Sequence, residues 1–419
     1  MKTIGYVLVI LAGLMTAAPN DAGAIPAFAR KHGVNCNMCH TAFTKLNDFG
    51  QRVRDNGYQM PGQEGREMNV FQIAPPVSMR TSTGMLASHT GKQTTSSFAL
   101  NGLDLLAAGV LHKNISFLLI YTPRLDEPAA DYSGNADGAN PGQPGALESA
   151  NIVFSNVVRD ALNVRVGRFE PAYHAFSSKR SYYLRQGYEI YAFTTPSNQF
   201  VFDDNQLGIE ATGHFRNGFK YGAGLVNGNG ANPDINNAKD VYVNLFQTIG
   251  RGDGQNAGQR LGAFAYYGWQ PTRDIGAFVG DGGETDGKGN TGFYRVGGDV
   301  SLNWKTFNVK AFFMYGQDDQ KLNPLDSSDY VFRGGFARVD WAGLWNNRLV
   351  VSGMYNWVRP PCYDDDRPPM DVTSALVRYY LGDWTAVNVA LHLEYSYRDI
   401  GGIHPESGHA LAALVDFDF

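Results

Sequence analysis

Charge is scarce in this sequence, cysteine is nearly absent, and no long uninterrupted apolar run occurs beyond the extreme N-terminus. Only 18% of the 419 residues are charged, whereas an ordinary soluble domain has about a quarter. The deficit argues against a soluble domain. A membrane helix needs about 20 consecutive apolar residues, and the lack of such a run excludes a helical membrane protein. A net charge of −5 supplies no basic footprint, so no nucleic-acid partner is expected. What is abundant is glycine, with 49 residues, and aromatic side chains, at 13%. A mildly polar chain of this kind fits a transmembrane β-barrel, apolar outside and wet within.

The first segment reads as an address. Lys2 supplies a basic start, Tyr6 to Leu14 an apolar core too short to span a membrane, and Ala22-Gly23-Ala24 a small-residue cleavage site. Residues 1–24 are therefore expected to be an export signal.

Two of the three cysteines stand in Cys36-Asn37-Met38-Cys39-His40, a C-x-x-C-H pattern. In that pattern two thiols add to the vinyl groups of one haem, and the histidine is held beneath the iron. A redox dithiol would want a surrounding βαβ pattern, which is missing, and a structural zinc site would want four ligands. One covalent haem c is thus expected on Cys36 and Cys39, with His40 as proximal iron ligand. Phe43, Leu46, Phe49 and Val53 follow at spacings of three and four, which predicts one amphipathic helical face. This α-helical haem segment, residues 25–66, is too small to cover a haem alone, so the barrel must help. A sixth iron ligand is commonly Met or His. Met60 is the first candidate and His32 the second, while Met38 lies inside the attachment loop and is excluded.

Pro26, Phe28-Ala29-Arg30, Gly33, the C-x-x-C-H, Leu46, Phe49-Gly50 and Gly57-Tyr58 resemble the N-terminal haem segment of the fused cytochrome-porin family. Thr44 and Gln51 depart from its usual pattern. The resemblance covers about residues 25–60 and implies an outer-membrane c-type cytochrome with iron-oxidase-like members.

Residues 67–419 read as the barrel. Val387, Val389, Leu391, Leu393, Tyr395 and Tyr397 alternate with Asn388, Ala390, His392, Glu394, Ser396 and Arg398. The same period of two runs through Tyr294 to Trp304 and Phe307 to Tyr315, and the chain ends on Leu411, Ala413, Val415, Phe417 and Phe419. Marking each strand gives about 16, an antiparallel all-β count suited to a bacterial outer-membrane barrel. Short turns are expected at Lys113, Asp160, Asn217, Lys305, Asn346-Asn347 and Gly382-Asp383. Long polar connections are expected at Arg124 to Ala146, Phe169 to Asn198, Gln270 to Asn290 and Arg359 to Pro369. One connection, Gly250 to Gln259, is longer than this alternation predicts. Both mature termini would then be periplasmic. A soluble β-sandwich would bury its apolar face, and this length exceeds a usual sandwich.

Lesser candidates remain. His214 and His392 should face the lumen. Asp364, Asp365 and Asp366 beside Cys362 could attract a hard cation, although a solvated loop is the plainer reading. Arg124, Arg165, Arg168, Lys179, Arg180 and Arg185 could line a pore. Two functions follow from different classes. One is an electron conduit from an extracellular donor, with Fe(II) implied by the resemblance, to a periplasmic electron-carrier cytochrome. It would be Fe(II)-oxidase-like if it is an enzyme at all. The other is a porin for small solutes whose haem is accessory.

Overall fold

The computed structural model describes residues 28, 32, 34–42, 45–60, 62, 65, 77–123, 146–230, 232, 234, 236–250, 259–271, 290–345, 347–381, 388–402 and 405–418. The export signal, Phe43, Arg124 and the Gly382-Asp383 turn lie outside the described residues, as does nearly all of the 124–146 and 270–290 connections.

Sixteen antiparallel strands close into a barrel. They are β1 (Val77–Thr90), β2 (Gln93–His112), β3 (Ile115–Thr122), β4 (Ala146–Phe154), β5 (Asn163–Phe169), β6 (Gln206–His214), β7 (Phe219–Val226) and β8 (Asp240–Ile249), followed by β9 (Gln259–Pro271), β10 (Asn290–Trp304), β11 (Phe307–Asp318), β12 (Tyr330–Gly343), β13 (Leu349–Arg359), β14 (Met370–Leu381), β15 (Asn388–Ile400) and β16 (Glu406–Asp418). Each strand pairs with its neighbours in sequence, and β16 returns to β1 in a register running from Gly408 opposite Thr90 to Asp418 opposite Arg80. Closure removes the sheet edges that a membrane cannot solvate.

Alternation sets the two faces. Along β15, Leu393, Tyr395 and Tyr397 are exposed outward, whereas Asn388, Ala390, His392 and Glu394 are buried inward. Val296 and Leu302 on β10, with Val309 and Phe313 on β11, continue the exposed apolar surface. Exposed aromatics gather toward both rims, with Trp304, Phe307 and Trp345 at one and Tyr267, Tyr355 and Tyr397 toward the other. Such paired girdles are what a barrel presents at the two membrane interfaces.

Because the strand count is even, β1 begins and β16 ends at the same rim, called here the terminal rim. Connections there span 113–114, 155–162, 215–218, 250–258, 305–306, 344–348 and 382–387. The far rim carries 123–145, 170–205, 227–239, 272–289, 319–329 and 360–369, with short links at 91–92 and 401–405. The two-residue turns at 113–114 and 305–306 place Lys113 and Lys305 at φ of 45° and 51°, the left-handed geometry that tight hairpins require.

On the β13–β14 side the lumen is filled rather than wet. Lumen-facing Val350, Ser352, Met354, Asn356 and Val358 on β13 are each at most 3% exposed, as are Val372, Ser374, Leu376, Arg378 and Tyr380 on β14. Two segments fill the interior. The 170–205 connection, predicted as a long polar external segment, folds inward and carries helix α2 (Glu189–Ala192). The N-terminal segment enters at the terminal rim and carries helix α1 (Asp48–Asp55). The helix is shorter than predicted. Leu46 lies outside it, in a two-strand ribbon of His40–Ala42 with Lys45–Leu46. Asn47 explains the boundary, because its side chain accepts a hydrogen bond from the Gly50 backbone N–H at 2.9 Å as an N-cap.

Candidate functional site

The attachment motif forms a single turn. Cys36–Met38 is a 3-10 helix, and the Cys39 N–H donates to the Cys36 carbonyl at 3.1 Å. Cys36 is buried and Cys39 half-buried, and none of the three cysteines is in a disulfide. Burial pushes the Cys39 thiol up to about 11, so the docked chain holds it protonated. Helix α1 lies directly on this turn. A Cβ on Gly50 would stand 2.1 Å from the Cys39 carbonyl oxygen and 2.9 Å from Leu46 Cδ2. Only glycine permits that approach. Asn47 closes the turn from below, donating to the Asn37 and Met38 carbonyls at 3.2 and 3.0 Å.

Two thiols three residues apart on one turn, followed at once by an imidazole, form a donor set that suits thioether attachment and iron ligation of one haem. Cys36 and Cys39 would hold the group and His40 would ligate its iron. The structure brings these three residues together.

The plug is anchored to the wall at two places, one beside the motif and one beside Met60. Asn347, in the connection between β12 and β13, donates to the Thr41 carbonyl at 3.2 Å and fixes the motif to that wall. Met60 is buried beside Gln59, which donates to Ser155 Oγ at 2.7 Å between β4 and β5. Those anchors lie eight strands apart on a barrel of 16, and so on opposite walls. His32 is half-buried.

Between the N-terminal plug and the in-folded segment lies a cavity of about 280 Å³. Lys45, Asn47 and Arg54 bound it on the plug side, Phe176 and Arg180 on the in-folded side, and Lys310 on the wall. Several of its arginines have their own carboxylate: Arg54 pairs with Asp55, Arg165 with Glu210, Arg180 with Glu170 and Arg260 with Asp299. Burial alone would raise the Glu170 carboxyl, but Arg180 and His174 hold it well below the usual range. Of the basic residues picked from sequence, Arg165 and Arg180 thus line the cavity, whereas Lys179 pairs with Glu148 at 3.1 Å.

Beyond the cavity the in-folded segment is aromatic. The Tyr188 ring stacks on Phe336 at 3.9 Å, and Tyr191 meets Phe202 and Phe312, both at 4.9 Å. Tyr173 packs on Phe202 at 4.7 Å. Glu394 on β15 then pins the backbone, accepting from the N–H groups of Leu184, Arg185 and Gln186 at 2.9, 3.2 and 2.5 Å. His392 faces inward as expected and bonds Glu394 at 2.9 Å.

The acidic loop splits in two. Asp364 is buried, accepting from Tyr330 Oη at 2.5 Å and pairing with Arg367, while Asp365 and Asp366 are exposed. Among the described residues no group of three or more His, Cys, Asp or Glu is arranged to hold a metal ion. The residues missed from sequence are Lys45, Lys310, Arg338 and Asp340. For the last three the signal was charge on the inward face of a strand, whereas Lys45 lies in the plug.

No family model matches the chain, and no curated protein matches it. Solved structures do share its fold. Pseudomonas putida OprB at high pH superposes with a TM-score of 0.56 at 13% identity, covering 91% of this chain and 99% of that one. OmpF of Salmonella typhi in complex with daunomycin gives 0.55 at 9% identity, over 82% and 97%. An anion-selective porin from Comamonas acidovorans gives 0.53 at 11% identity, over 82% and 99%.

Proposed function

We propose that this porin-fold barrel resides in a bacterial outer membrane, carries one covalent haem in its terminal-rim plug, and passes single electrons between an external donor and a periplasmic electron-carrier cytochrome. The observation that carries this reading is the occupied lumen. Side chains on β12 to β14 are buried from rim to rim beneath the plug and the in-folded segment, which leaves little room for the solute flow of a general pore. The haem, once attached, supplies a one-electron couple. Cys36 and Cys39 fix its position, His40 ligates the iron, and α1 with Asn47 keeps the turn rigid. Ferrous iron is the donor that the family resemblance implies.

A second reading, a porin for small solutes with an accessory haem, is favoured by the solved structures that share this fold. One experiment separates the two. Purified protein is titrated anaerobically with ferrous iron while the haem spectrum is followed, and the same preparation is placed in planar bilayers. Electron transfer predicts haem reduction and small unitary conductance. A haem that stays oxidised in a freely conducting channel would establish the porin reading instead. Met60 is tested alongside, since its loss lowers the haem potential only if its thioether reaches the iron.

A further inference from the structure

Three cations on the cavity side of the lumen share one carboxylate. Arg338 Nε lies 2.6 Å from Asp340, Lys45 Nζ of the plug 3.8 Å and Lys310 Nζ 3.9 Å. Lys45 has a hydrogen bond elsewhere, to Asn308 Oδ1 at 2.7 Å. Lys310 differs. Among the described residues its ammonium is paired only with Asp340, beyond hydrogen-bonding distance, and its remaining contact is the Phe176 ring at 5.3 Å. Its side chain is only 12% exposed, and what it lines is the cavity.

The register makes the crowding deliberate. Lys310 stands directly opposite Arg338 across β11 and β12, and opposite Ser301 on its other side, which in turn faces Arg260. Like charges placed directly across a sheet repel, and a buried ammonium without a hydrogen-bond acceptor costs still more. With Asp299 bound to Arg260 and Asp340 to Arg338, the surplus positive charge points into the open space.

We propose that this cavity is an oxyanion site in which Lys310 and Lys45 bind carboxylate- or phosphate-class oxygens. The oxygens could come from two sources of the same chemistry: the propionates of the attached haem, or a diffusible anion entering beside the plug. The site stands on the chain's own side chains, and only the propionate source rests on the haem reading. Failure of iron-driven reduction therefore leaves it untouched.

Inorganic phosphate is the probe, titrated calorimetrically and by thermal unfolding into detergent-solubilised full-length protein, both haem-loaded and as the haem-free Cys36→Ser/Cys39→Ser variant. Binding to both forms supports a diffusible anion. Binding to the haem-free form alone, with a lowered haem potential in loaded Lys310→Met, supports the propionates. In either case Lys310→Met should weaken phosphate binding at least tenfold. If the haem-free chain does not fold, the loaded wild type and Lys310→Met decide by the same two readouts. The site is overturned if neither form binds phosphate and the Lys310→Met potential is unchanged, or if phosphate binds equally well without Lys310.

Discussion

The two segments inside this barrel are held by different physics. The plug, within residues 34–60, is tied to the wall mainly by side-chain hydrogen bonds, Lys45 to Asn308, Asn347 to Thr41, Asn163 to the Asp55 carbonyl, and Gln59 to Ser155, with Cys36 and Ala42 its small contribution to the main buried apolar cluster. The in-folded segment, residues 170–205, is fixed by stacked rings and by buried charge, including Arg398 on Glu189 at 2.6 Å. Net hydrogen bonds contribute about 1 kcal/mol each, whereas burying an aromatic side chain contributes several times that. The plug is thus seated on the barrel and the in-folded segment is part of its core. Under the proposed haem attachment, late and weak docking would keep Cys36 and Cys39 reachable until the end.

The largest effect should come from breaking the aromatic side of that contrast. Tyr191 is fully buried between Phe202, Phe312 and His174. Tyr191→Ala should cost about 3–5 kcal/mol by large-to-small substitution in a core, measured by urea unfolding in micelles, and should raise bilayer conductance. Deleting residues 25–66 should shift the same unfolding midpoint far less. Equal losses from the two changes would end the distinction between core and plug.

Glu394 tests the charged part of the same anchor. Glu394→Gln keeps the shape but weakens three charge-assisted bonds to backbone N–H groups, and should cost about 2 kcal/mol. Hydrogen exchange at Leu184 to Gln186 should rise with it. Protection that stays at the wild-type level would mean the rings alone hold the segment.

A smaller effect is expected within the plug. Asn47→Ala removes the N-cap of α1 and should cost about 1 kcal/mol, confined to exchange rates of Asp48–Asp55 and to the haem spectrum. A shift in global unfolding would show the plug and barrel to be one cooperative unit.

The contrast also explains what could be read from sequence. The outward faces of β10, β11 and β15 were legible because an exposed apolar residue recurs at every second position, whatever lies inside. The turns at Lys113 and Lys305 were legible for the same reason, since each reverses a readable strand. Residues 170–205 were not. Tyr173, Tyr182, Tyr188, Tyr191 and Phe202 follow no period, because an irregular segment is positioned by its partners across the lumen rather than by local repetition. A signal existed on those partners: Phe264, Phe312 and Phe336 are apolar at inward positions, so their strands are apolar on both faces, which a wet lumen would not ask for. The C-x-x-C-H pattern was legible because its spacing is local to five residues. The Lys310 cluster was illegible because two strands and the plug bring it together.

The last effect is a pH dependence of plug docking. Burial, and secondarily the Arg338 charge, lower the Lys45 ammonium to about 8, although Asp340 pulls the other way. The unfolded or undocked chain holds Lys45 near the ordinary lysine value, so between about pH 8 and 10 it binds more protons than the docked chain. Docking should therefore strengthen as pH rises through that window, and be weakest below it. Proteolytic release of the plug, assayed across pH 7 to 10, should slow on the alkaline side, and Lys45→Met should flatten the profile. Saturating phosphate should move the window upward, because an anion in the cavity restores the value of Lys45. A profile in Lys45→Met identical to wild type would shift the dependence to another group. A wild-type profile that falls with pH would reverse the sign and show that Lys45 docks as a fully satisfied cation.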